Sequence, residues 1–195
     1  MGLFTYIFIV SCLAQPVNLR INLLSAQLLS QGVTAGRLEP MNIATVNFLT
    51  TGKDVIAAET TLRTSAAEVY ALLANPARHA ELDGGNSIRG LRKGSDSEFS
   101  AGDTFSLNMV LGVPYTLTMK VTRAAKNKGV TWVHPGKHTW AWDIIDHEDG
   151  TITVRETFDA SKSPLAGLYH LSGAFKRNRK NIALSLANLH RIFAP

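Results

Sequence analysis

At 195 residues and 45% hydrophobic side chains, the chain is long enough to bury one sizeable core, and length alone argues for one folded domain. Its single cysteine, Cys12, excludes an intramolecular disulfide framework, and no CxxC or His-Cys cluster spaces ligands for a structural zinc, so no metal or other cofactor is expected. The net charge of +5 is a local surplus: residues 161 to 195 carry six basic side chains and no acid, residues 41 to 160 carry twelve basic and fourteen acidic ones, and no nucleic-acid motif surrounds "KRNRK".

In chain order, "LFTYIFIVSCLA" (3 to 14) comes first. It is too short to span a bilayer and about the length of a signal-peptide apolar region, but lacks a positive start. It reads either as a targeting leader or as an over-extended start with translation beginning at Met41. The first reading places the protein outside the cytoplasm or on a membrane; the second places it in the cytoplasm. Residues 1–52 are therefore set outside the fold, and residues 53–195 form the expected domain.

"VIAAETTLRT" (55 to 64) alternates with period two, as a strand does. Ser65 then stands three residues before Glu68, the capping-box spacing that opens a helix, and Asn75-Pro76 ends it and starts a second short one up to "DGG" at 83 to 85. Six more strands are predicted, over 88–93, 103–111, 114–125, 129–134, 138–146 and 151–159, separated by turn residues at hairpin spacing. From Ser163 to Phe193 the period returns to 3.6, predicting one helix of about 30 residues, roughly 45 Å long. Its inward stripe reads Leu168, Leu171, Phe175, Asn178, Ile182, Leu186, Leu189 and Phe193. A lone amphipathic helix and a one-sided sheet each need a partner, so the predicted fold is α+β: a helix-grip in which a curved antiparallel sheet of about seven strands wraps a long C-terminal helix.

The stretches "AAEVYALLANPARHAELDGG", "AGDTFSLNMVLGVPYTLTMKVT", "GVTWVHPGKHTWAWDI" and "DGTITVRETFDAS" occur in an order and spacing that resemble the START-like (SRPBCC) superfamily, in its polyketide cyclase/dehydrase and lipid transport branch. The resemblance covers residues 54 to 193 and implies a ligand-binding domain with a cavity between sheet and helix. It implies binding of a small hydrophobic ligand, aromatic, polyketide-like or lipid, or alternatively cyclase or dehydratase chemistry in that cavity.

Strand alternation gives the inner face independently. Phe105, Leu107 and Met109 share one face, then Tyr115, Leu117 and Met119, then Trp132 with His134, then Trp140 and Trp142, and finally Val154, Glu156 and Phe158. Of these, Phe105, Leu107, Met109, Tyr115, Leu117, Met119, Trp132, Trp140, Trp142 and Val154, together with Leu171, Phe175 and Asn178 of the helix, are the candidate ligand-binding residues, and Glu156 and His134 are the candidate catalytic ones. The three tryptophans fall within eleven positions and read either as an aromatic wall or as core filling. Glu156 is a carboxylate on an apolar face: either an acid–base group with a raised pKa, with His134 and Tyr115 as partners, or a group that meets water or a basic side chain. His79, Glu81 and Asp83 do not put three metal ligands on one side, and no nucleophile elbow is present. The basic cluster at 176–180 reads as a solvated helix face or as a weak contact with anionic lipid.

Overall fold

The structure is a computed structural model that describes residues 46–193, so the apolar leader and the Met41 start lie outside the described residues. Its elements are β1 (Asn47–Phe48), β2 (Val55–Leu62), α1 (Ala66–Leu73), a 3-10 turn (Pro76–Arg78), α2 (His79–Leu82), β3 (Ile88–Lys93) and β4 (Thr104–Leu111). They continue with β5 (Val113–Ala125), β6 (Gly129–Val133), β7 (Thr139–Asp146), β8 (Ile152–Asp159), α3 (Ala166–Leu171) and α4 (Ala174–Ile192).

The eight strands form one antiparallel sheet in the order β1-β2-β8-β7-β6-β5-β4-β3. Consecutive hairpins build β3 to β8, and the chain's return places β2 against β8 over its whole length, with Ala58 opposite Glu156. The helix-grip expectation holds, with two corrections. Asn47 and Phe48 pair with Glu59 and Ala58, so the sheet gains an eighth strand and the fold begins before residue 53. Two residues carry no readable period, and this pairing depends on β2 supplying the edge.

The second correction concerns the C-terminal helix, which is broken. Gly173 adopts φ +69°, a left-handed conformation that closes α3 and opens α4 after a change of direction. The long helix is therefore 19 residues rather than about 30. Leu168 and Leu171, expected on the inward stripe, are 37% and 87% exposed because α3 departs from the line of α4. Leu171 accordingly faces solvent rather than the sheet. From Ala174 onward the stripe packs as expected, through Ile182, Leu186 and Leu189, all buried.

Local chemistry fixes the rest. The Glu68 backbone N–H donates to Ser65 Oγ at 3.2 Å and the Ser65 N–H donates to the Glu68 carboxylate at 3.2 Å, completing the capping box of α1. The Asp83 carboxylate accepts from the backbone N–H groups of Gly85, Ser87 and Ile88 and from the Ser87 hydroxyl, tying the α2–β3 loop. Gly84 in that loop lies so near α4 that a Cβ there would overlap the Asn181 carbonyl and Leu184 Cβ. This close approach lets Gly84 N–H donate to Ser185 Oγ at 3.1 Å and locks the loop against the helix. None of the described helices is long and apolar enough to cross a membrane.

Candidate functional site

The strand registers arrange the inner face in rows. Val130, Trp142, Glu156 and Ala58 lie across β6, β7, β8 and β2; the next row is Trp132, Trp140, Phe158 and Ile56. One row further on, past the ends of β6 and β7, stand His134 and His138, whose backbones pair through a His134 N–H donated to the His138 carbonyl at 2.9 Å. Alternation places these side chains on one face, as the sequence predicts.

One end of this face is sealed. The α1–α2 segment brings His79 onto Trp132, with ring centroids 5.1 Å apart and nearly stacked, and Phe99 and Phe105 close the cluster edge-on to the imidazole. His79 is buried, and its Nε2–H donates to the Leu73 carbonyl at 3.0 Å. Burial pulls its pKa down to about 4, so the ring is neutral at pH 7.

The other end is not sealed. Met109, Tyr115, Leu117, Trp140 and Phe175 all belong to the inner side of the sheet or the facing part of α4, yet each is only half-buried. Here Phe158 is the hub: Trp140 stands 5.2 Å from it, His138 5.3 Å and Phe175 5.5 Å, centroid to centroid. His138 stacks on His134 at 4.3 Å and shares a 2.9 Å hydrogen bond between Nδ1 and the Tyr169 hydroxyl, the donor following from the tautomer. Burial lowers the pKa of both rings, His138 to about 4, and His134 falls well below its ordinary value, with His138 adding to the effect. The Nε2 atom of His134 is enclosed and has no hydrogen-bond partner.

Glu156 lies one row from Trp140 and Phe158, on the side away from His134, 4% exposed, with Oε2 enclosed and without a partner. Its cross-strand neighbours are Ala58 and Trp142, and Oε2 accepts no hydrogen bond from either. Burial, reinforced by the charge of Asp83, pushes its pKa well above the ordinary carboxylate range. Burial without a basic partner disfavours the charged form of Glu156, which lies diagonal on the face to the half-buried Trp140.

The predicted site residues divide accordingly. Phe105, Leu107, Met119, Trp132, Trp142 and Val154 are buried in the core, and Met109, Tyr115, Leu117, Trp140, Phe175 and Asn178 are half-buried toward the open end. Trp132 and Trp140 are cross-strand partners, but their rings join different clusters, Trp132 that of His79 and Trp140 that of Phe158. Glu156 and His134 are not brought together. Four residues of strand separate their rows, about 13 Å, with the Phe158 row between. Tyr115 stands three strands from Glu156.

Sequence reasoning weighed His79 only as a metal ligand and missed Phe99, both of which reach the core, from a short helix and a loop, and it missed the His138–Tyr169 pair, which joins a turn to α3. The one signal for the latter is Gly136, where a Cβ would collide with the Tyr169 hydroxyl. The basic cluster is partly engaged: the Arg179 guanidinium lies 3.5 Å from the Phe48 ring centre, and Arg177 is half-buried within electrostatic reach of Tyr115. Two surface hollows are also present. One of about 410 Å³ lies under the 95–104 loop against Phe99 and Phe105. The other, about 290 Å³, lies at the β3–β5 edge among Arg89, Arg92, Met109 and Tyr115.

No protein-family model matches the chain. It is 34% identical over 158 residues to the uncharacterized protein Rv0088 of Mycobacterium tuberculosis strain H37Rv, an alignment covering 78% of this chain and 70% of that protein. The uncharacterized protein MT0096 of strain CDC 1551 matches over the same span with the same identity. The chain belongs to the family of these mycobacterial proteins. Among solved structures, a protein from Arthrobacter aurescens aligns with TM-score 0.57 at 10% identity, covering 75% of this chain and 92% of that one. Protein Ms6760 from Mycobacterium smegmatis aligns with TM-score 0.55 at 9% identity, covering 75% and 98%. At such identities the likeness is one of fold, and family membership rests on the mycobacterial relatives.

Proposed function

We propose that this member of the family is a START-like, SRPBCC-type protein that holds a small hydrophobic ligand, aromatic, polyketide-like or lipid, between the open end of the sheet and α4. The observation that carries the reading is the half-burial of Met109, Tyr115, Leu117, Trp140 and Phe175, a set of large apolar side chains on the inner side of a grip whose other end is closed. Apolar residues left unfinished on a concave face gain about 25 cal/mol for each Å² that a ligand removes from water, before the costs of association. The buried carboxyl group of Glu156 supplies a polar point for orientation.

The geometry favours binding over a cyclase or dehydratase reaction shared by Glu156 and His134, because the Phe158 row lies between them. The test is native mass spectrometry of the protein purified from its own host, followed by extraction and identification of bound material. A stoichiometric apolar small molecule is the expected result. A protein that emerges empty, and whose tryptophan emission ignores aromatic and lipid ligands, would overturn the reading.

A further inference from the structure

Glu156 combines three observations that constrain the ligand's chemistry. Its Oε2 is enclosed without a hydrogen-bond partner. Its row on the inner face holds Val130, Trp142 and Ala58, so the sheet offers it no side-chain acceptor there. The charge that acts on it is that of Asp83, another carboxylate, held in place by the backbone N–H groups of Gly85, Ser87 and Ile88. A buried polar atom left unpaired costs free energy that a suitable partner recovers, and a neutral carboxyl group can donate one hydrogen bond. Beside Asp83, an incoming anion would be repelled and desolvated at once.

We infer that the ligand of this site is a neutral apolar molecule bearing a carbonyl or comparable oxygen acceptor, which takes a hydrogen bond from the Glu156 carboxyl, and that carboxylate-bearing amphiphiles such as free fatty acids are rejected. This deepens the ligand-binding reading and rests on it. Trp140, diagonal to Glu156 and half-buried, gives the apolar body of such a molecule a flat surface next to the donor. The inference assigns Glu156 a selective role in binding without any proton leaving it.

The test uses the full chain and three probes of one shape: 2-acetylnaphthalene, its isostere 2-isopropenylnaphthalene, which lacks the oxygen, and 2-naphthoate. Titration calorimetry at neutral pH should find the ketone binding about tenfold tighter than the alkene, and the naphthoate at least about tenfold weaker than the ketone. Glu156→Gln, which keeps an N–H donor, should retain the preference for ketone over alkene. Glu156→Leu should bring the ratio to one or below, because the ketone then loses its water without gaining a partner.

Equal binding of ketone and alkene by the native protein would overturn the inference and leave the ligand-binding reading standing. So would a preference that survives Glu156→Leu, or naphthoate binding as tightly as the ketone. Failure of all three probes, together with an empty protein from the host, would overturn both. The comparison within the native protein is decisive even if the leucine variant does not fold.

Discussion

The two ends of one inner face were built by the same alternation and finished differently. At the α1–α2 end, Trp132 meets His79, Phe99 and Phe105, and the C-terminal half of α4 lays Ile182, Leu186 and Leu189 on the sheet, all of them buried. At the α3 end, Trp140, Leu117, Tyr115 and Phe175 face inward but keep part of their surface in water. The difference lies in what covers them. A segment inserted between β2 and β3 seals the first end, whereas at the second the helix breaks at Gly173 and α3 turns aside. Packing is closed where cover is complete, and the proposed ligand site lies where it is not.

Paired truncations test that division with the largest expected effect. Leu186→Ala should lower unfolding free energy by about 2–5 kcal/mol, since it empties a closed site, while Phe175→Ala should cost only about 1–2 kcal/mol despite removing more atoms. Urea unfolding of both variants checks this; equal losses would mean that the two ends are packed alike.

Acid should act next. His79 and His138 titrate near 4 in the fold against an ordinary 6.5, so the unfolded chain binds more protons between those values. Their stabilising neutrality is complete above pH 6.5 and is lost as pH falls toward 4, on the order of 3 kcal/mol for each fully shifted ring. Urea midpoints should therefore fall steeply across that window, and His79→Phe should flatten the slope by about one proton. An unchanged slope in that variant would contradict the assignment.

Glu156 has the opposite sign. Its folded pKa is raised, so its contribution is most favourable below its ordinary value of 4.5 and is lost as pH rises toward the folded value. Glu156→Gln should stabilise the ligand-free protein at pH 8 by about 1–2 kcal/mol and leave the acid limb of the pH profile steeper. A variant less stable than the native protein at pH 8 would show that the carboxyl has a structural partner. The smallest effect belongs to the sheet's margin: Arg179→Ala should cost about 0.5–1 kcal/mol by freeing β1 from the helix, read as faster amide exchange at Phe48.

Much of this architecture can be read from the chain because period two and turn residues agree. Strand boundaries from 88 to 159 fall within about two residues of expectation, and alternation alone places Phe105, Trp132, Trp142 and Val154 on the inner face. The helix break escapes because the 3.6 period runs on in phase through "HLSGAF", although Gly173 was the residue to suspect. The clusters escape for another reason. Face is a property of one strand, whereas the pairing of His79 with Trp132, or the Phe158 row between Glu156 and His134, depends on register and on loops crossing the sheet. Glu156 stood out as a misfit from its neighbours alone; that its Oε2 has no partner required the fold.

The central claim is that ligand enters at the open end, and Trp140 and Trp132, paired across β6 and β7, differ in the cluster their rings join. Tryptophan emission should be recorded during titration with 2-acetylnaphthalene in the native protein, in Trp140→Phe and in Trp132→Phe. The account predicts quenching that Trp140→Phe largely abolishes and Trp132→Phe leaves in place. Quenching that survives the loss of Trp140 and disappears with Trp132 would put the ligand at the sealed end and contradict it.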